Sequence, residues 1–224
     1  MTVPTPKFIT FDCYGTLIKM QFGIMAREMF KDRVAPEKMT SFLHDFYKYR
    51  LDEVMNNWQP YDVVLKNALQ RTCNRWGLEF KEEEGQAYCD AVPTWGPHPD
   101  VPSGLKRLAK AFPLVIYSNA ADDQIMKNVE QLGAPFHRVF TAEEAKVYKP
   151  RLGAFEYMLD NLGCKPEEIL HVSSSFRYDL FPADDMGIKN KAFIARGHDQ
   201  PANAAYSYNQ FSDINALADW LGLD

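Results

Sequence analysis

The sequence lacks the cysteine spacing of a disulfide framework or a zinc site. Its 224 residues include four cysteines, and no two of them form a C-x-x-C pair. Scattered cysteines of this kind are typical of reduced thiols rather than of cross-links or metal ligands. We therefore expect free thiols at Cys13, Cys73, Cys89 and Cys164, with Cys13 of interest only for the residue beside it.

The chain also lacks a long apolar run and any block of like charge. No apolar stretch approaches the roughly 18 residues of a membrane-spanning helix, and the opening MTVPTPK has no charged-then-apolar signal pattern. The 25 basic and 30 acidic residues are interspersed and give a net charge of −5. These features favour a cytoplasmic protein with a small-molecule partner, and they disfavour a nucleic-acid or membrane surface.

After residue 100 the sequence alternates short apolar runs with stretches of helical spacing. Together with the first apolar run, FITFD, this alternation predicts an α/β fold with a parallel sheet and helices on both faces. In such sheets ligands bind at the carboxyl ends of the strands. The further strands are predicted at 113–119, 138–140, 167–175 and 191–196. The helices are predicted at 102–111, 121–132, 151–162, 179–186 and 212–221.

Residues 19–95 have a different pattern. They show helical periodicity, many Met, Phe, Tyr and Trp residues and no credible strand, and they end in the Pro- and Gly-rich bridge VPTWGPHPDVPSG. We interpret them as a helical cap subdomain inserted after the first strand. The α/β core then comprises 1–18 and 96–224.

Polar residues stand at or just after the ends of four predicted elements. Each has a simple structural explanation when taken alone, because an Asp or Ser can cap a helix, a loop lysine is usually solvated and a serine run can form a turn. Taken as a set they point to a common site, because a parallel sheet would bring them to one crevice. They are Asp12 and Thr16, Ser118 and Asn119, Lys149, and Ser173 to Ser175 with Asp179.

The order of four short motifs resembles the haloacid dehalogenase (HAD) superfamily of hydrolases, in its 2-haloacid dehalogenase branch. The motifs are DCYGT, YSN, KVYKP and VSSSFRYD, and the resemblance covers nearly the whole chain. It implies a Rossmann-like core with an inserted helical cap and a homodimer through the cap helices. It also implies hydrolysis without a cofactor, acting on a small carboxylic acid.

The resemblance implies a role for each residue of the constellation. Asp12 is the nucleophile that forms a covalent ester, and Thr16 orients it. Lys149 keeps Asp12 charged, because an opposite charge at about 4 Å contributes roughly 4 kcal/mol at a protein surface. Asp179, with Ser173 or Ser175, prepares the water. Substrate is bound by Ser118, Asn119 and the loop that contains Cys13 and Tyr14.

The phosphatases of the same superfamily carry Asp-x-Asp and a later acidic motif that helps to bind Mg²⁺. In this chain Tyr14 takes the second Asp position and serines take the later one. We therefore expect no metal, and a phosphatase is the less favoured alternative. A third alternative is a binding module that retains the fold without catalysis.

Two departures from the dehalogenase pattern leave the leaving group open. The arginine that receives halide has only Lys48 or Arg50 as counterparts, on different faces of the helix. The fourth motif, SSSFRYD, is one residue longer than the dehalogenase pattern. We predict L-azetidine-2-carboxylate as the preferred substrate, with Tyr47 among the cap aromatics that could meet an ammonium. An (S)-2-haloacid is the alternative.

Overall fold

The computed structural model describes residues 5–197 and 208–223. The chain divides into two compact units, one formed by Met1–Lys19 with Gly96–Asp224 and the other by Met20–Trp95. No helix in the described parts is both long and apolar enough to cross a membrane.

The first unit contains a parallel sheet, which confirms the predicted α/β class. Its described strands follow the order β3-β2-β1-β4-β5-β6, and every neighbouring pair is parallel. The strands are β1 Phe8–Phe11, β2 Leu114–Ser118, β3 Arg138–Thr141, β4 Ile169–Ser173, β5 Asn190–Ile194 and β6 Asn209–Phe211. All residues of β1, β2 and β4 are buried, as expected for parallel strands covered on both faces.

The helices of the first unit lie between or after these strands. They are α5 Val101–Leu108, α6 Asp122–Val129, α7 Ala142–Ala145, α8 Leu152–Leu162, α9 Phe181–Asp185 and α10 Ile214–Trp220. Phe155 and Met158 of α8 pack in one buried cluster with Val115, Tyr117 and Phe140 of the sheet. This packing fixes the central strands, whose ends carry the site.

The second unit is helical, and its described residues contain no strand. Its helices are α1 Phe22–Phe30, α2 Met39–Met55, α3 Tyr61–Arg75 and α4 Glu82–Ala91. Aromatic rings form much of its interior. The ring centroids of Phe22 and Trp95 lie 4.7 Å apart, and those of Phe46 and Tyr88 lie 5.5 Å apart.

The sequence-based assignments differ from the structure in a few places. The helix predicted at 179–186 contains α9, but helical structure already begins at Phe176, as a wide turn over Phe176–Leu180. The short helix α7 was not predicted. Strand β6 was not predicted, because a three-residue edge strand gives too short an apolar signal.

Candidate active site

The register of the central strands brings three sequence-distant polar residues to one edge of the sheet. Phe11 of β1 is aligned with Ile116 of β2 and with Val172 of β4. The backbone N–H of Asp12 continues the ladder and donates to Val172 O at 3.0 Å. Asp12, Ser118 and Ser173 therefore occupy the carboxyl ends of adjacent strands.

The loop after β1 turns back so that Thr16 supports Asp12. Gly15 adopts a φ of 100°, which glycine adopts without strain, and Leu17 N donates to Cys13 O at 2.8 Å. The Thr16 hydroxyl then donates to Asp12 Oδ2 at 2.7 Å. The side chain of Asp12 is buried but keeps a small exposed fraction, 8% for the residue.

Lys149 is buried rather than solvated. Its Nζ donates to Asp12 Oδ1 at 3.0 Å, to Asp179 Oδ1 at 2.6 Å and to Tyr117 O at 2.8 Å. An ammonium has three hydrogens, so all of its donors are used. The lysine therefore joins the two carboxylates into one charged group.

Asn119 fixes the backbone of this lysine. Its Nδ2 donates to Lys149 O at 2.7 Å, and Lys149 N donates to Asn119 Oδ1 at 2.8 Å. The reciprocal pair joins the end of β2 to the loop that carries Lys149. The amide predicted to bind substrate thus also positions the cation.

Asp179 lies behind Lys149 and is fully buried. Besides Lys149, its carboxylate accepts from Ser173 Oγ at 2.9 Å and contacts His171 Nε2 at 3.2 Å. The wide turn that carries Asp179 contains a hydrogen bond of the i→i+5 type, from Leu180 N to Ser175 O at 3.2 Å. Such a turn holds one residue more than an α-helical turn.

The three serines at and after the end of β4 have different contacts. Ser173 Oγ accepts from Ser175 N at 3.0 Å. Ser174 N donates to Thr16 Oγ1 at 2.9 Å. Ser175 Oγ accepts from Tyr178 N at 3.3 Å and caps the wide turn. Ser173 contacts Asp179 and Ser174 contacts Thr16, whereas the predicted role of Ser175 in catalysis stays a prediction.

The mutual charges shift the pKa values of the buried group. Burial raises the pKa of Asp12 against the opposing effect of Lys149, and the neighbouring Asp179 raises it further. Burial alone would also raise the pKa of Asp179, but Lys149 and the His171 hydrogen bond outweigh it and lower the pKa. The two carboxylates likewise outweigh burial and raise the pKa of Lys149. Asp12 is therefore the carboxylate of the pair that takes up a proton first.

The remaining predicted residues of the first unit lie at the end of β2 or directly after Asp12. Ser118 Oγ is buried and has no hydrogen-bond partner among the described residues. Tyr14 OH donates to Asn128 Oδ1 at 2.7 Å. Cys13 is fully buried, and burial raises the pKa of its thiol.

The three predicted cap residues lie on α2 in the second unit. Lys48 is exposed and pairs with Asp45 at 3.5 Å. Arg50 stacks its guanidinium over the ring of Phe22, 3.9 Å from the centroid. Tyr47 is half-buried. In the first unit, hydrogen bonds connect Asp12 with Thr16 and Lys149, and connect Asp179 with Lys149 and Ser173.

Sequence reasoning missed two groups that touch this site. His171 contacts Asp179, and a polar residue inside the apolar run EILHV was a signal that could have found it. Arg196 donates from Nε to Thr16 O at 3.1 Å and forms a bidentate pair with Asp100 at 2.8 and 2.9 Å. No spacing signal links Arg196 to Asp100 or to Thr16, because they are far apart in sequence.

The site offers little to a metal ion. Across the described residues, no group of three or more His, Cys, Asp or Glu side chains is arranged to hold one. One oxygen of each carboxylate, Asp12 Oδ1 and Asp179 Oδ1, already faces Lys149 Nζ.

Comparison with known proteins gives a consistent assignment. Residues 6–187 match the family model described as haloacid dehalogenase-like hydrolase. The chain is 29% identical over 175 residues to an (S)-2-haloacid dehalogenase of Pseudomonas sp. (strain YL), covering 75% of each chain. It is 28% identical over 197 residues to the (S)-2-haloacid dehalogenase of Xanthobacter autotrophicus, covering 85% of this chain and 75% of the relative.

A solved structure of the L-2-haloacid dehalogenase from Xanthobacter autotrophicus, with chloropropionic acid covalently bound, has a similar fold. Its TM-score is 0.77 at 22% identity, over 97% of this chain and 99% of that one. The family match, which spans most of the chain, confirms the resemblance seen in the four motifs. The protein belongs to the haloacid dehalogenase-like hydrolase family.

Proposed function

We propose that this protein displaces a leaving group from the carbon beside the carboxylate of a small acid, through a covalent ester of Asp12 and without a metal. The observation that carries the proposal is the way Asp12 is held. Lys149 holds one of its oxygens and Thr16 the other, at the carboxyl end of a central strand. A buried carboxylate fixed in this way is suited to nucleophilic attack. The names of the dehalogenase relatives support the same chemistry.

In the first step an oxygen of Asp12 bonds to the substrate carbon, and the leaving group departs with the electron pair of the broken bond. The substrate carboxylate must be held beside Asp12 for this attack. Ser118 has a buried hydroxyl that finds no partner among the described residues, which supports its role in that binding. Asn119 and the backbone N–H groups of Cys13 and Tyr14 would complete the binding.

In the second step water attacks the carboxyl carbon of the Asp12 ester and restores the aspartate. The oxygen that leaves with the product is therefore the one Asp12 brought, and solvent oxygen stays on Asp12. Negative charge develops on the carbonyl oxygen of the ester, and the ammonium of Lys149, which lies beside Asp12, stabilises it. Asp179 and Ser173 would prepare the water, with Ser175 contributing through the loop.

We further propose that L-azetidine-2-carboxylate is the preferred substrate. The bond from C2 to the ring nitrogen breaks, the electron pair goes to nitrogen, and water completes 4-amino-2-hydroxybutanoate. Two departures support this choice over a halide: the longer fourth motif, and the absence of one clear counterpart for the halide-binding arginine in FYKYRLDEVM. An (S)-2-haloacid, the substrate class named for the relatives, is the alternative.

The decisive experiment uses both substrates without added metal. The protein is incubated with L-azetidine-2-carboxylate and, separately, with L-2-chloropropionate, and primary amine and chloride are measured. We expect amine from the first substrate. Chloride without amine would overturn the azetidine proposal and leave the ester proposal standing.

A parallel assay contains Mg²⁺ and a phosphate ester, and it measures the release of phosphate, because one curated relative is a phosphatase. The glyceraldehyde 3-phosphate phosphatase of Methanothermobacter thermautotrophicus is 32% identical over 95 residues, which is 41% of this chain. Mg²⁺-dependent phosphate release with neither amine nor chloride would reject the proposed chemistry.

The pH dependence of kcat/KM is expected to show an acid limb set by Asp12. Only the ionised carboxylate attacks, and burial raises its pKa above the ordinary value of 3.8. As the pH decreases, kcat/KM should therefore fall with a midpoint that lies above the pKa of a free aspartate. Far-ultraviolet circular dichroism at each pH is the control. An intact fold with full activity down to the ordinary aspartate pKa would contradict the expectation.

We retain two proposals about the second unit. Residues 19–95 act as the cap subdomain of the core formed by 1–18 and 96–224, and the protein forms a homodimer through cap helices. Ile24 of α1 and Met55 of α2 support the second proposal, because both are large apolar side chains more than half exposed.

A further inference from the structure

His171 is a buried polar residue in the middle of the sheet. It lies on β4 opposite Thr10 of β1 and has no exposed surface. Its Nδ1 is 2.8 Å from Thr10 Oγ1, and its Nε2 is 3.2 Å from Asp179 Oδ1. Phe155 packs edge-on against the ring with centroids 5.5 Å apart. Both nitrogens therefore have a partner, and the ring is held in one orientation.

The partners determine which nitrogen donates to the site. A carboxylate only accepts hydrogen bonds, so the contact with Asp179 requires a hydrogen on Nε2. In the neutral ring Nδ1 then accepts from the Thr10 hydroxyl, which selects the Nε2–H tautomer. Thr10 thus fixes a donor that points at Asp179.

His171 and Lys149 donate to the same atom, Asp179 Oδ1. Two donors on one oxygen share its negative charge, so each is held less tightly than it would be alone. This sharing matters most after the first chemical step. Once Asp12 is an ester it carries no charge, and Asp179 becomes the one remaining anion of the group that Lys149 joins.

We propose that His171, oriented by Thr10, is a positioning residue for hydrolysis of the ester. By taking part of the charge on Asp179 Oδ1, it prevents Lys149 from being drawn wholly to Asp179. Lys149 then stays in reach of Asp12, where the oxyanion of the second step forms. The inference rests on the proposed ester mechanism, and it assigns His171 to the second step rather than the first.

The test compares four variants. His171→Phe removes the donor, His171→Gln restores an N–H of similar reach, and Thr10→Val removes the orienting hydroxyl while keeping the shape. Leu170→Met is the matched control, since Leu170 is a buried neighbour on β4 outside the site and this swap conserves volume.

The substrate is whichever of L-azetidine-2-carboxylate and L-2-chloropropionate the wild type turns over. Rapid quenching and intact mass spectrometry then measure the fraction of protein that carries the ester. We expect His171→Phe to lower kcat about 10- to 100-fold, the effect of losing a hydrogen bond to a charged group. The ester should become the dominant form during turnover. Thr10→Val should show the same change to a smaller extent, while His171→Gln recovers most of kcat.

A merely structural role would give a different result. Lower kcat in His171→Phe without ester accumulation, or an equal loss in Leu170→Met, would overturn the inference. If His171→Phe does not fold, Thr10→Val decides, and unchanged kcat and unchanged ester in that variant would overturn it. In the wild type, failure of ¹⁸O from solvent to enter Asp12 during a single turnover would reject the ester mechanism itself. Label in Asp12 without accumulation in the variants rejects the His171 role alone.

Discussion

Replacing Asp12 with Asn is expected to abolish turnover, by about 10⁴-fold or more. The amide has nearly the shape of the carboxylate but is a poor nucleophile, so no ester forms. The amide oxygen can still accept from Lys149, which also keeps its contact with Asp179. The amide N–H can donate to Thr16 Oγ1, whose own hydroxyl hydrogen can turn to Ser174 Oγ at 3.1 Å. The loss should therefore be one of chemistry rather than of fold.

The same variant is expected to be as stable as the wild type or more stable. Burial raises the pKa of Asp12, which means that the folded protein holds this charge at a cost in free energy. Removing the charge removes that cost, as is common when a functional residue is neutralised. Urea unfolding at neutral pH measures the change.

Two controls make the activity result interpretable. Intact mass spectrometry checks that the introduced amide has not hydrolysed back to aspartate. Asp12→Glu keeps the charge and displaces the carboxylate, so it should also lose most activity because attack requires close positioning. Activity of Asp12→Asn within tenfold of the wild type would reject Asp12 as the nucleophile.

Much of the site was predictable because parallel strands end at one edge of a sheet. Asp12, Ser118 and Ser173 follow apolar runs, and the pairing of β1 with β2 and β4 brings those ends together. The motif order added Lys149 and Asp179, which lie on a loop and a wide turn rather than on strands. Periodicity and motif order therefore predicted the residues that the structure brings together.

The residues that were missed act through contacts that no local pattern encodes. Arg196 reaches Thr16 O only because the end of β5 lies near the loop after β1. His171 was not predicted, because a single polar residue in a buried strand often has only a structural role in the core. The helix predicted at 179–186 contains α9, but spacing does not show that the chain is already helical, as a wide turn, from Phe176.

Replacing Lys149 with Met is expected to have the largest effect on stability. The side chain is 1% exposed and lies between Asp12 and Asp179, so the variant leaves two buried carboxylates without their cation. Breaking a buried ion pair in this way costs about 3–5 kcal/mol at neutral pH. Turnover should be lost as well, because Asp12 would then hold a proton and the oxyanion of the second step would lose its stabilising charge.

Lys191→Met is a matched control for that variant. Lys191 is also 1% exposed, and its Nζ donates to Asp184 Oδ1 at 2.6 Å. Lys191 therefore pairs with one carboxylate, whereas Lys149 pairs with two. The side chain of Asp184 is 24% exposed, and it also pairs with Lys189. The control should therefore lose less free energy of unfolding than Lys149→Met and should retain turnover.

The pH dependence separates lost charge compensation from lost packing. In the wild type the lowered pKa of Asp179 contributes stability above the unfolded pKa, and this contribution is lost as pH falls through the folded value. Without Lys149, both carboxylates have raised pKa values, so the folded variant binds protons more tightly than the unfolded chain. Its stability is then greatest in acid and decreases as pH rises through the raised values. Urea unfolding at pH 5 and pH 8 should therefore show the deficit of Lys149→Met shrinking towards pH 5, whereas a deficit that is equal at both values would mean that packing, and not charge, is what Lys149 supplies.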